Sequence, residues 1–240
     1  MDKQPFLTIV TRCRQRPKML TINLQQTARQ TDRDIEQIFL PDLSTGDHPG
    51  GNVLWANREL ANCGDRVDGR YAYTKDDDAV LVSKHFVEEV KRCAEANDWP
   101  HVILVKSICA GSKLSNHFLP DPKVWRVNWE AGKRPEKWIG HGANVVVRAD
   151  YWKAKIAAYK GIERGGDWHY ITDLIAGIPG KNIRFVRLDI VASLSLQRGR
   201  GVNFEDGCPA DWWAQIAQRW RIQNYGTPEK PDWRLRWYER

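Results

Sequence analysis

Short apolar runs alternate with amphipathic stretches along this 240-residue chain. Phe6 to Thr11, Ile35 to Leu40, His101 to Val105, Asn144 to Val147 and Ile183 to Leu188 are brief and rich in β-branched residues. Runs of that length and composition predict strands, the first and third of them covered on both faces. Tyr71 to Thr74 is a further short segment, set off by Gly64 and Gly69. Between the strands, Pro17 stands where a helix can begin, with Leu20, Leu24 and Ala28 as one apolar stripe. Helical patterns also cover 53–63, 149–159, a stretch from Asp167 to Ala176, and a Trp-rich segment at 209–221. Phe86, Val87, Val90 and Ala94 share one helical face, with Ser83 as the candidate N-cap. Residues 41–47, 111–141 and 197–201 read as loops, and the polar 224–240 tail as peripheral. Alternating strands and helices predict one α/β domain over 1–240 built on an open sheet, with 204–240 as a C-terminal extension.

Composition changes this picture in three places. The balance of 37 basic against 30 acidic residues gives a formal charge of +7, which favours anionic partners such as nucleotides or phosphorylated glycans. The densest basic group, Arg12, Arg14, Arg16 and Lys18, adjoins an apolar strand, and no nucleic-acid-binding motif accompanies it. Twelve tryptophans exceed ordinary usage, and each ring serves either as packing or as a platform for a sugar or base. Cys13, Cys63, Cys93, Cys109 and Cys208 are odd in number, form no Cys-x-x-Cys pair, and fit reduced thiols in a cytoplasmic setting. The first residues lack the apolar segment of a signal peptide, and no apolar run is long enough to span a bilayer. A membrane-associated ligand would therefore be reached from the membrane surface or through a partner.

Asp76-Asp77-Asp78 is the sharpest local feature. Three consecutive carboxylates repel one another and need solvent, cations or a metal to offset the repulsion. Asp76 and Asp78, separated by one residue just beyond a strand, can hold Mg²⁺ or Mn²⁺ through hard oxygens, and the ion can bridge nucleotide phosphates. A solvated loop is the plainer reading of the same run.

Other features follow in an order that resembles the nucleotide-sugar glycosyltransferases of the GT-A fold, especially the inverting family 2. Phe6 to Arg12 looks like that family's first strand, and Pro17-Lys18-Met19-Leu20 like its proline-initiated helix. Ile38 to Asp47 resembles the nucleotide loop, although Pro41 and Leu43 replace an expected aspartate and glycine. Asn52, Asn57 and Gly69 to Tyr73 look like the segments leading to the metal motif. Asp76-Asp77-Asp78 then matches the family's aspartate-any-aspartate motif. Gly165-Gly166-Asp167-Trp168 resembles the glycine-glutamate-aspartate segment, with Gly166 in place of the glutamate.

The resemblance covers roughly residues 6–190. It implies an open mixed sheet flanked by helices, with a Rossmann-like nucleotide-binding half. It further implies metal-dependent, inverting transfer from a nucleotide-diphosphate sugar to a glycan or other hydroxyl-bearing acceptor. Asp42 would contact the donor's nucleobase or form a turn. Asp167 would be the catalytic base or a helix cap, with Asp173 the alternative base. Arg198 and Arg200 would clamp the diphosphate or form a solvated basic loop. Trp168, Trp129 and Trp138 are candidate rings for the acceptor, and His141 and His169 lack the clustering of metal ligands. Two other functions compete. A nucleotidyltransferase would carry a Gly-rich, lysine-containing loop near the first strand, and 11–18 contains no glycine. A catalytically inactive glycan- or nucleotide-binding protein would explain the missing glutamate.

Overall fold

A computed structural model describes residues 4–13, 17–41, 59–109, 144–157, 181–196 and 210–237. In chain order the elements are β1 (Leu7–Cys13), α1 (Pro17–Ala28), β2 (Ile35–Pro41), a 3-10 turn (Gly64–Arg66), β3 (Tyr71–Asp76) and β4 (Ala79–Leu81). They continue with α2 (Phe86–Ala96), β5 (Val102–Cys109), β6 (Val145–Arg148), α3 (Ala149–Ile156) and β7 (Phe185–Ser195). The last are α4 (Ala210–Trp220), β8 (Gln223–Asn224) and β9 (Trp233–Arg234). Seven strands form one mixed sheet in the order β2-β1-β3-β6-β5-β7-β4, and β8 pairs with β9. β1 runs parallel to β2 and β3, while β6 lies antiparallel between β3 and β5.

The strands are apolar on both faces because helices cover both. On one face, Val10, Ala72, Val102, Leu104, Val145 and Val147 pack with Leu60, Trp152 and Ile156. On the other, Leu7, Ile9, Tyr71, Tyr73, Ile103 and Val146 pack with Phe86, Val87, Val90 and Ala94 of α2. Consecutive residues go to opposite faces, as strand geometry requires. Gly69 lets the chain cross tightly beside β1: a Cβ there would lie 2.5 Å from the Thr8 nitrogen, and its own amide donates to Thr8 Oγ1 at 2.8 Å.

β4 follows β3 after a two-residue turn yet occupies the opposite edge of the sheet. The sheet curls to allow this. β5 and β7 run past the short β6, their register shifts between Leu104 and Ser107, and the far end of β7 pairs antiparallel with β4. The edge of β4 is covered by α1. Asn23, Gln26 and Gln30 are buried and donate to the carbonyls of Asp77, Ala79, Leu81 and Ser83 at 3.1, 3.0, 3.4 and 2.8 Å. Those acceptors are alternate residues along one edge, so two amides of α1 and Gln30 just beyond it do the work of a neighbouring strand.

Several expectations change here. The buried face of α1 is Met19, Ile22, Asn23, Gln26 and Thr27, not Leu20, Leu24 and Ala28, because the helix serves an edge that needs donors. Ser83 does not cap α2: the helix begins at Phe86 with His85 before it, and the Ser83 carbonyl is held by Gln30. β7 extends well beyond Leu188, to Ser195. The 224–240 tail is not peripheral as far as it is described. Gln25 binds the Pro231 carbonyl and the Trp233 amide, both at 2.7 Å, Arg29 pairs with Asp232, and Leu235 is buried beside Met19 and Ile22. The 111–141 insertion, residues 53–58 of the helix expected over 53–63, and the helix expected from Asp167 lie outside the described residues.

Candidate functional site

β3 carries the aspartate run to the C-terminal end of the parallel strands, where open α/β sheets place their ligands. Asp76 is in register with Arg12 of β1, and the Asp77 amide extends the ladder by donating to the Arg12 carbonyl at 3.0 Å. The chain then turns through Asp77 and Asp78 into β4. Each end of this turn is tied to a different strand. Arg12 Nε lies 2.9 Å from Asp76 Oδ1. Ser195 Oγ, at the end of β7, donates to Asp78 Oδ2 at 3.5 Å, and the Leu196 amide donates to the Asp78 carbonyl at 2.9 Å.

Two further side chains brace the turn from beneath. Asn23 donates to the carbonyls on either side of Asp78 and accepts from the Lys75 ammonium group. Lys75 also donates to the Ala79 carbonyl at 3.3 Å. Complete burial pushes the Lys75 amine down to about 7, against the opposing pull of Cys13, Asp77, Asp78 and Asp76. The three aspartates are not equivalent. The Asp76 side chain keeps 22% of its exposure, whereas Asp77 and Asp78 keep 1%. Asp76 therefore faces an approaching ligand more openly, and Asp78 is partly engaged in joining β3 to β7.

Among the described residues no three His, Cys, Asp or Glu side chains converge as a metal cluster. Asp76 and Asp78 nonetheless offer hard oxygens suited to a divalent cation that takes its other ligands from water and phosphate. Asp42, Asp167, Asp173, Arg198 and Arg200 lie outside the described residues, so the structure does not relate them to this turn. The sequence pattern marks Arg12 only as part of a basic cluster beside β1, and it does not mark Asn23, Lys75 or Ser195. Arg12 and Lys75 carry a usable signal, as basic residues inside otherwise apolar and uncharged runs that lead to the ends of β1 and β3.

No family model and no curated protein matches the sequence. Solved structures do match in fold. TarS residues 1–349 from S. aureus in complex with UDP superimposes with a TM-score of 0.56 at 14% identity, over 79% of this chain and 60% of that one. The same protein in complex with UDP-GlcNAc gives 0.53 at 11% identity, over 89% and 66%. Mannosyltransferase PcManGT from Pyrobaculum calidifontis, in complex with GDP-Man and Mn²⁺, gives 0.50 at 14%, over 83% and 59%. The chain thus has the fold of the GT-A-type glycosyltransferases, a curled open mixed sheet flanked by helices. It spans about 60% of the TarS 1–349 chain.

Proposed function

We infer that this protein is a glycosyltransferase that moves a sugar from a nucleotide-diphosphate donor to a hydroxyl acceptor, inverting the anomeric centre. The observation that carries the reading is the Asp76-Asp77-Asp78 turn at the C-terminal end of β3, in a sheet shared with proteins that bind UDP, UDP-GlcNAc and GDP-Man. Asp76 and Asp78 would hold Mn²⁺ or Mg²⁺, which when bound offsets the charge developing on the departing diphosphate. The chain's own groups do the rest. Arg12, Asn23 and Lys75 fix the turn so that Asp76 faces the donor. Asp42 contacts the donor's base or ribose, and Arg198 and Arg200 close on its phosphates. Asp167 takes the proton of the attacking hydroxyl. The chain would work in the cytoplasm, reaching any membrane-bound acceptor from the surface. No helix among the described residues is long and apolar enough to cross a membrane.

Calorimetric titration with UDP and GDP, each with and without Mn²⁺, tests the central claim. Nucleotide binding should tighten with Mn²⁺, and the gain should vanish in Asp76→Asn. A protein that binds neither nucleotide under either condition, with its fold intact by circular dichroism, is not a transferase of this kind.

A further inference from the structure

α4 and the β8–β9 hairpin carry a second group of charged side chains, distinct from the aspartates. α4 ends at Trp220, and Arg221 follows with φ 49°, a left-handed conformation that glycine ordinarily supplies at a helix end. The helix end is closed normally, by the Ile222 amide on the Ala217 carbonyl at 2.9 Å and the Arg221 amide on Gln218 at 3.3 Å. The strained position therefore holds a long cationic side chain where the backbone alone favours none. The Arg236 amide donates to the Trp220 carbonyl at 3.2 Å, which draws the exit of β9 across the same helix end.

Arg221, Gln223, Tyr225, Arg234, Leu235 and Arg236 line the resulting cavity of about 510 Å³. Three guanidinium groups on one cavity repel each other. Asp232 offsets part of that charge through its pair with Arg234 at 2.8 Å, but Asp232 is shared with Arg29. Among the described residues no carboxylate pairs with Arg221 or Arg236. Tyr225 is 62% exposed, stacks under Arg234 at 4.8 Å, and donates its hydroxyl to Gln223 Oε1 at 2.6 Å. The cavity falls within the size range of small-ligand sites.

We propose that this cavity binds the phosphate group of an anionic ligand between the guanidinium groups of Arg221 and Arg236. Planar guanidinium forks match phosphate oxygens in pairs, and the chain's net charge of +7 draws anions toward it. The phosphate belongs either to a lipid headgroup or to a soluble ligand, and the site would hold either while leaving the aspartate turn free.

The full chain is tested with two probes in metal-free buffer: inorganic pyrophosphate by calorimetry, and phosphatidylglycerol–phosphatidylcholine vesicles by co-sedimentation, against phosphatidylcholine alone. Arg221→Gly is the leading variant because glycine relieves the left-handed residue. It should keep or raise the thermal midpoint while weakening binding about tenfold, the loss of one charge-assisted contact. Arg236→Gln, which leaves the helix end untouched, should show a similar loss. Sedimentation with acidic vesicles that excess pyrophosphate reverses and both variants weaken assigns the lipid source. A pyrophosphate isotherm without sedimentation assigns the soluble one. A wild-type protein that binds neither probe, or binding that both variants retain in full, overturns the site.

Discussion

Cys63 shows how far burial alone sets the chemistry of one side chain. It sits at the end of the helical turn at 59–62, fully enclosed beside Trp152 and Ile156, with its thiol donating to the Leu60 carbonyl at 3.2 Å. Desolvation pushes the thiol up to about 12 from 9.0, with Arg66 pulling against it and Glu59 adding to it. The folded state therefore keeps its proton where the unfolded chain would lose it. Stability from this group is fully present below pH 9 and drains away as pH rises toward 12. Between those limits the slope approaches about 1.4 kcal/mol per pH unit for one proton. Urea unfolding at neutral pH and near pH 10 should show wild type losing more stability than Cys63→Ala, whose cost from the lost side chain is the same at both. Native Cys63 should also resist thiol reagents that label Cys93, which is only partly buried. Equal labelling rates at the two positions would contradict the enclosure.

At the scale of elements, α1 matters most, because one helix covers the free edge of β4 and anchors the C-terminal hairpin. Asn23→Leu keeps the side chain's bulk but removes the amide that donates to the Asp77 and Ala79 carbonyls and the oxygen that accepts from Lys75, which then keeps only its bond to the Ala79 carbonyl among those described. Leaving buried polar groups unmatched costs about 1–3 kcal/mol each, so urea unfolding should register a loss of at least that size. A loss under 0.5 kcal/mol, about the size of an ordinary surface substitution, would mean that α1 does not cap the edge. The same helix shows what could be read from the sequence and what could not. β1 and β5 are legible because both faces are covered, β2 because Ile35, Ile38, Phe39 and Leu40 make a short apolar run, and α2 because Phe86, Val87, Val90 and Ala94 are apolar at helical spacing. The buried face of α1 was misread because amides that serve a strand edge look, in a hydrophobic pattern, like a solvent face. β4 was missed because it is three residues long and its partner strand lies more than a hundred residues away, as Asp78 and Ser195 are 117 apart. The hairpin reads as a peripheral tail in the sequence because Gln25 and Arg29 hold it through backbone carbonyls, which leave no periodic trace. The aspartate run was visible as composition. Its bracing by Arg12, Asn23, Lys75 and Ser195 was not, since strand register and helix packing bring those residues together.

For the whole molecule, the proposed reaction requires a group on the acceptor side to complement the donor held at the Asp76 turn. A single in-line displacement needs a carboxylate facing the attacking hydroxyl from the side opposite the departing diphosphate. Asp167 is assigned that part on sequence grounds: Gly165 and Gly166 let the backbone approach a ligand closely, and Trp168 can hold a sugar ring beside it. Gly166 occupies the place of a glutamate in the resembling family, so this chain offers one carboxylate there and not two. Asp167→Asn preserves shape and removes basicity. Its affinity for nucleotide and Mn²⁺, measured by calorimetry, should match wild type, while acceptor-dependent turnover should fall by about 10²- to 10⁴-fold. Donor hydrolysis should fall less, because water needs less orientation from this residue than an acceptor sugar does. The contrast separates a base from a structural cap: loss of a cap would lower thermal stability and weaken donor binding together with turnover. If Asp167→Asn transfers sugar at nearly the wild-type rate, the proton goes elsewhere. Asp173→Asn should then carry the loss instead, moving the base six residues along the same segment.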